Sequence, residues 1–153
     1  MRKTIAAMFL FGCLAVPASA SQEQIRPPNY IMISANAGGT FGEVTVEIKT
    51  DKKLVQPKIT GIRLKINGSW KKVPKKAFTD LGSPDLNTAQ IRTEAGHDKD
   101  PWLHIYFEVN HKDKSGNWNP QKVHISYHKG RFEYRSITTP IDGSRSDWQK
   151  IDL

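Results

Sequence analysis

Polar residues that could carry acid–base chemistry recur at alternating positions in the second half of the chain. His104, Tyr106 and Glu108 alternate with apolar residues in one segment, and His124 and His128 do so in the next. Imidazole, phenol and carboxylate groups can transfer protons, and imidazole with carboxylate can also bind zinc. The chain contains no His-Glu-x-x-His or Gly-x-Ser-x-Gly motif, so a hydrolase or metal site has no sequence signature here.

These side chains lie on one face if the two segments pair as antiparallel strands. Tyr106 is then opposite His124, and Glu108 is opposite Lys122, which is an ordinary cross-strand ion pair. Arg135, in the following strand, is predicted on the same face. The candidate residues of this face are His104, Tyr106, Glu108, His124, His128 and Arg135. Two interpretations stay open: a solvated polar face, or the site of a small hydrolase or metal-dependent enzyme that uses His104, Tyr106, Glu108 and His124. Interaction is favoured over catalysis, and no metal or cofactor is predicted.

A second group of candidate residues lies in the segment 53–76. It holds eight Lys or Arg residues and neither Asp nor Glu. Asn67-Gly68, in its second half, is typical of a two-residue hairpin turn because both positions tolerate positive φ. A turn there places Lys65 opposite Trp70 and Arg63 opposite Lys72, all on the polar face of the hairpin.

The hairpin and the residues after it combine clustered positive charge with one indole ring. We call this set the basic hairpin surface; its members are Arg63, Lys65, Trp70, Lys72, Lys75 and Lys76. Such a cluster suits docking onto an anionic macromolecule. Lysines also protect exposed edge strands from pairing with other sheets. The sequence leaves these two roles open.

Period-two alternation of apolar residues indicates the strands that would position both groups. Val44–Ile48, Ile62–Ile66 and Leu103–Val109 each alternate apolar with polar residues. The pattern predicts an all-β fold of about seven to nine short antiparallel strands, arranged as a β-sandwich or a meandering barrel. At most one short helical turn is expected, near residues 74–81. Residues 30–153 are predicted to form a single domain.

Hairpin registers can be predicted in the C-terminal half. A three-residue loop ending at Gly116 brings core side chains together on one face. It pairs Leu103 with Tyr127, Ile105 with Ile125 and Phe107 with Val123. A second turn at Lys129-Gly130 then pairs Tyr127 with Phe132 and Ile125 with Tyr134.

The N-terminal residues 1–20 resemble a secretory signal peptide. Two basic residues precede a short apolar run that ends in a small-residue cleavage site at Ala20. Cys13 offers a rival lipoprotein site, but the apolar run continues beyond it to the better site. We therefore expect cleavage after Ala20, a periplasmic or secreted protein without disulfides, and an extended leader arm at residues 21–29.

Charge and compartment together limit the partner. The net charge of +8 falls to +6 when Arg2 and Lys3 leave with the signal peptide. An acidic protein or an anionic envelope polymer fits an exported basic protein, whereas export disfavours nucleic acid. A membrane surface stays an option, although no segment is long enough to span a bilayer. The expected function is that of a non-catalytic binding protein, such as an inhibitor, an immunity factor or an envelope-binding module.

Overall fold

The computed structural model describes residues 29–37, 40–53, 55–95, 100–112, 115–140 and 146–153. The predicted signal peptide and nearly all of the leader arm lie outside these residues. Within them the chain forms nine strands and one short 3₁₀ helix at Lys75–Ala77, inside the turn predicted at 74–81. The strands are β1 (Tyr30–Asn36), β2 (Glu43–Thr50), β3 (Ile59–Ile66), β4 (Ser69–Lys72), β5 (Ser83–Glu94), β6 (Trp102–Lys112), β7 (Trp118–His128), β8 (Arg131–Pro140) and β9 (Ser146–Asp152). None of the described residues belongs to a helix long and apolar enough to cross a membrane.

The strands form two antiparallel sheets. The first has the order β1-β2-β3-β4, and the second has the order β5-β6-β7-β8-β9. Each sheet is a meander because every strand pairs with its neighbour in the chain. Alternation gives each sheet one apolar face, and the two apolar faces are buried by packing on each other. The all-β prediction is confirmed, in the form of a sandwich.

One hydrophobic core lies between the sheets. Val46 and Leu64 of the first sheet and Ile105, Phe107 and Ile125 of the second are at most 1 % exposed. They belong to a single cluster of buried apolar side chains. The remaining face of each sheet, here called its outer face, points away from this core and carries the polar candidates.

Both predicted two-residue turns are present. Asn67 and Gly68 have φ values of 48° and 80°, and Lys129 and Gly130 have φ values of 45° and 84°. Positive φ at both central residues matches the twist of the flanking strands. Each turn therefore fixes the register of the hairpin that it closes.

The predicted register between β6 and β7 is confirmed. The chain turns between these strands near Gly116, which has a φ of 88°. The pairs are Leu103 with Tyr127, Ile105 with Ile125 and Phe107 with Val123, and Tyr127 also pairs with Phe132 as expected. These pairs place the apolar side chains on the core side.

The predicted pairing of Ile125 with Tyr134 is wrong. A β-bulge leaves Glu133 without an opposite residue, so Ser126 pairs with Tyr134 and Ile125 pairs with Arg135. An extra residue in one strand moves every later side chain to the other face. Tyr134 is consequently on the outer face, and Arg135 is on the core side.

Candidate functional site

The predicted register of the β3–β4 hairpin is confirmed. Arg63 lies opposite Lys72, and Lys65 lies opposite Trp70, on the outer face of the first sheet. β4 is an edge strand because no strand follows it in the sheet order. The last two lysines of the basic hairpin surface lie in the 3₁₀ helix immediately after it. The hairpin therefore brings its four predicted side chains together at one edge of the sandwich.

The counter-charge that is absent from residues 53–76 comes from β2. Glu47 lies opposite Arg63, and the Nη2 atom of Arg63 donates a hydrogen bond of 2.9 Å to its Oε2 atom. The Nε atom of Arg63 lies 2.7 Å from Oε1 of Glu47 without an aligned hydrogen bond. The Nζ atom of Lys49 lies 3.4 Å from Oε1 as well. The carboxylate of Glu47 thus neutralises Arg63 and not the lysines of the hairpin.

The pKa of Glu47 follows from these contacts. Burial of this side chain, which is 5 % exposed as a residue, acts to raise its pKa. The hydrogen bond and charge of Arg63 and the charge of Lys49 act in the opposite direction and hold the pKa of Glu47 below its ordinary value. Glu47 is therefore a carboxylate at neutral pH.

Trp70 is held in place by the same arginine. The guanidinium carbon of Arg63 lies 4.0 Å from the centroid of the Trp70 ring, which is a close cation–π contact. The Nζ atom of Lys65 lies 5.9 Å from this centroid. Trp70 nevertheless stays 37 % exposed, so one part of the indole is fixed and another part faces solvent.

The lysines of the basic hairpin surface differ from Arg63, because no carboxylate of the described residues neutralises them. In the part of the chain that the structure describes, no ion pair involves Lys65, Lys72, Lys75 or Lys76. The last three of these are exposed. Their charges therefore act outward, toward whatever approaches this edge.

The second candidate surface is the outer face of the five-stranded sheet. We define the histidine–aromatic face as four predicted residues and two that the prediction omitted. Its members are His104, Tyr106, His124, His128, Trp102 and Tyr134. His104 is 4 % exposed and His128 is 6 % exposed. The interpretation as a simple solvated face is wrong for these two histidines, because neighbouring rings cover them.

A hydrogen-bonded cluster lies at the centre of this face. The Nε2 atom of His124 lies 2.8 Å from Nδ1 of His104, and the Oγ atom of Ser126 lies 3.1 Å and 3.2 Å from these two nitrogens. The Oε2 atom of Glu94 lies 3.3 Å from Nε2 of His104, without an aligned hydrogen bond. Ser136 Oγ lies 3.4 Å from Nδ1 of His124. We assign the His104 proton to Nε2, beside Glu94, so that Nδ1 accepts from His124.

Stacked rings form the cover over this cluster. Trp102 lies parallel to His128, with ring centroids 4.0 Å apart, and Tyr106 lies parallel to His124 at 4.5 Å. Tyr134 meets His124 edge-on at 5.5 Å. Such pairs stabilise beyond the area that they bury. The outer face of this sheet therefore has its own packed layer of rings.

Both central imidazoles are neutral at pH 7. Burial lowers the pKa of His124 to about 4, and the nearby charge of His104 adds to the effect. Burial also lowers the pKa of His104, while Glu94 opposes that shift. In their hydrogen bond, one neutral ring donates and the other accepts. The hydroxyl group of Ser126 lies on a residue with 0 % exposure, so it meets no substrate in this structure.

Two predicted members of this site lie apart from the cluster. Glu108 pairs with Lys122 in the register, and among the described contacts none joins its side chain to the histidines. Arg135 lies on the core side, where its Nη1 atom is 2.7 Å from Oδ1 of Asp80. The predicted placement of Arg135 on this face is therefore wrong, because of the β8 bulge. Among the described residues, no group of three His, Cys, Asp or Glu side chains is arranged to hold a metal ion.

The prediction missed residues whose signals differ in strength. Glu47 occupies a polar position of β2, and pairing Val46 with Leu64 would have placed it opposite Arg63. Ser126 lies between two outward histidines and could have been found by the same alternation. Trp102 is the first residue of β6, the strand with the clearest alternation, and it has the same parity as the outward side chains of that strand. Tyr134 faces outward only because of the β8 bulge, which has no clear sequence signal.

Comparison of the chain with protein-family models, with curated proteins and with solved structures found no match. The two candidate surfaces lie on the outer faces of different sheets. Because the inner faces of these sheets pack together, the two surfaces point in opposite directions. One macromolecular partner can therefore contact either surface without touching the other.

Proposed function

We propose that this protein is an exported, non-catalytic binding protein that docks its basic hairpin surface onto an anionic macromolecule. The observation that carries the proposal is that a carboxylate neutralises one cation of this surface and leaves others without a carboxylate partner among the described residues. Arg63 is bound by Glu47 and stacked on Trp70. Lys72, in contrast, has no carboxylate partner among the described residues, and neither do the lysines of the 3₁₀ helix.

The two kinds of residue serve different steps of binding. Exposed lysines raise the rate of encounter with an anionic partner, and salt screens their effect. Trp70 supplies apolar contact area, and Arg63 holds the ring so that less rotamer freedom is lost on binding. A fixed aromatic ring surrounded by unpaired cations is therefore suited to an anionic surface that also offers an apolar contact.

An acidic protein or an anionic envelope polymer is the partner class that this combination supports. An inhibitor, an immunity factor or an envelope-binding module would use such a surface. The competing role is edge protection, in which the lysines of β4 only prevent another strand from pairing. Edge protection requires charge on β4, but it gives no role to the cation–π contact between Arg63 and Trp70.

The test begins with a pull-down from envelope extract by the chain from Ser21 onward. The recovered partner is then titrated with the wild type, with Lys72→Glu/Lys75→Glu/Lys76→Glu and with Trp70→Ala, at low and high salt. We expect the triple variant to bind weakly and the wild type to lose affinity as salt rises. Trp70→Ala should cost about 2 kcal/mol or more at either salt concentration, as a central aromatic anchor does.

A matched triple variant separates local charge from net charge. Lys112→Glu/Lys122→Glu/Lys150→Glu makes the same change on the outer face of the second sheet. This control should bind as the wild type does after correction for net charge. Normal binding by the hairpin triple variant, with no salt dependence in the wild type, would leave the lysines only an edge-protecting role.

A second function, a small hydrolase or metal-dependent enzyme, is favoured by one observation. His104 and His124 share a hydrogen bond beside Ser126. This hypothesis uses Tyr106 and Glu108 as further catalytic groups. We expect no stoichiometric zinc in the wild type after dialysis. Tight zinc that is lost in both His104→Ala and His124→Ala would favour the enzyme over the binding protein.

A further inference from the structure

The outer face of the first sheet contains a groove of about 330 Å³. It lies beside Gly61, which is opposite Lys49 in the register and has no side chain to cover its neighbours. A Cβ atom added to Gly61 would meet no atom within 4 Å apart from those of Gly61 and its two chain neighbours. The groove has a size that is ordinary for a small ligand or for one side chain of a partner.

The lining of the groove combines an apolar part with a basic part. The exposed lining is more apolar than polar. Ile62, Val73 and Phe78 border the groove but are at most 5 % exposed, so its apolar surface includes the methylene groups of the longer side chains that line it. Lys72 and Lys75 also line the groove and form its basic part. An occupant that satisfies both parts must have an apolar stem that ends in a negative charge.

The charge balance of the lining favours an anion. The lining includes the cations Lys49, Arg63, Lys72 and Lys75 but only one carboxylate, that of Glu47. Glu47 is already occupied by Arg63 and Lys49. Lys72 and Lys75 are consequently the cations left for an occupant, and an approaching carboxylate meets a net positive groove.

We infer that this groove receives a glutamate side chain of an acidic partner protein, with the carboxylate between Lys72 and Lys75. This inference rests on the proposed function and assigns the chemistry of its contact. The two methylene groups of glutamate supply an apolar stem that the apolar part of the lining can cover. A uronate or a phosphate ester carries its charge directly on a polar unit and leaves that apolar surface without a contact.

The test uses poly-L-glutamate as the probe, with polygalacturonate and polyphosphate of matched charge for comparison. Gly61→Leu fills the groove without changing any charge, and Gly61→Ala is its control. We expect Gly61→Leu to weaken poly-L-glutamate binding about tenfold or more at both low and high salt. Lys72→Gln/Lys75→Gln should instead weaken it chiefly at low salt, where screening is small.

Amide NMR shifts provide a readout that does not depend on a variant folding. Adding a short glutamate peptide to the wild type should move the amide signals of Gly61 and of Val73. Normal binding by Gly61→Leu together with unmoved signals at these positions would overturn the proposal that the groove is the binding site. In that case, weak binding by Lys72→Gln/Lys75→Gln would still support the proposed function. Tighter binding of polygalacturonate or polyphosphate would overturn the choice of a glutamate side chain. Failure of all three polymers to bind the wild type would count against both proposals.

Discussion

The Nε2 atom of His124 lies 2.8 Å from the Nδ1 atom of His104, and one ring donates while the other accepts. When both rings carry two protons, neither nitrogen can accept, and the bond is lost. Burial favours the neutral form of both rings and lowers the pKa of each. The packed layer over the second sheet is therefore tied to the protonation state of two side chains.

This link predicts a loss of stability in mild acid. Unfolded histidine titrates near its ordinary pKa of about 6.5, whereas folded His124 has a pKa of about 4. Below pH 6.5 the unfolded chain therefore binds more protons, and stability falls as pH falls toward 4. The free energy of unfolding falls by at most about 1.4 kcal/mol per pH unit for each extra proton that the unfolded chain binds. Urea denaturation at pH 7, 6 and 5 measures it, in a range where most carboxylates stay ionised.

A matched variant identifies the groups responsible. His124→Gln cannot titrate, so its stability should vary less with pH between 7 and 5 than that of the wild type. Exposed His111 provides the control, because His111→Gln should leave the slope unchanged. An equal slope in the wild type and His124→Gln would contradict the assignment to this cluster.

Replacing glycine by alanine should have opposite effects on stability at Gly82 and at Gly61. A Cβ atom at Gly82 would lie 2.8 Å from the carbonyl carbon of Asn110 and 3.2 Å from the Cα atom of His111, and backbone atoms cannot move aside cheaply. Gly82→Ala should therefore destabilise by about 1–3 kcal/mol. Gly61→Ala should be neutral or stabilise by up to about 1 kcal/mol, because Gly61 has open space and glycine is unfavourable within a strand. Urea midpoints compare the two directly, and equal effects would show that the contact with Asn110 does not set the cost.

The ion pair between Arg135 and Asp80 predicts an asymmetry between its partners. The Arg135 side chain is 4 % exposed, whereas the Asp80 side chain is 60 % exposed. Asp80→Ala leaves a buried guanidinium without its carboxylate and should cost about 1.5–3 kcal/mol. Arg135→Met should cost less, because water can take over the hydrogen bonds of Asp80. Glu133→Ala, which breaks an exposed pair with Arg131, should change the thermal midpoint little. A larger loss in Arg135→Met than in Asp80→Ala would contradict this reasoning.

Processing supplies a prediction about the chain itself. We expect exported material to begin at Ser21 and to contain no thiol, since the only cysteine of the sequence is Cys13. Intact mass and N-terminal sequencing measure this. A diacylglyceryl group on Cys13 would instead establish the lipoprotein site.

The fold was largely predictable because local patterns determine it. Alternation located the strands, and the turn at Asn67-Gly68 fixed the register that brings Arg63 and Trp70 to one face. The failure at Arg135 has a single physical cause, since a bulge adds one residue without changing the apolar pattern near it. The pairing of Arg63 with Glu47 was harder to predict, because it depends on which strands become neighbours and not on either strand alone.

The meander order of both sheets has a consequence for the rate at which the protein folds. Every strand pairs with the strand before or after it in the chain, so each pairing step closes only a short loop, which costs little entropy. Contacts between distant residues are needed only when the two finished sheets dock. A β-sandwich ordinarily folds slowly because its strands must find partners far along the sequence. Here the strands of each sheet can pair with their chain neighbours before the two sheets dock.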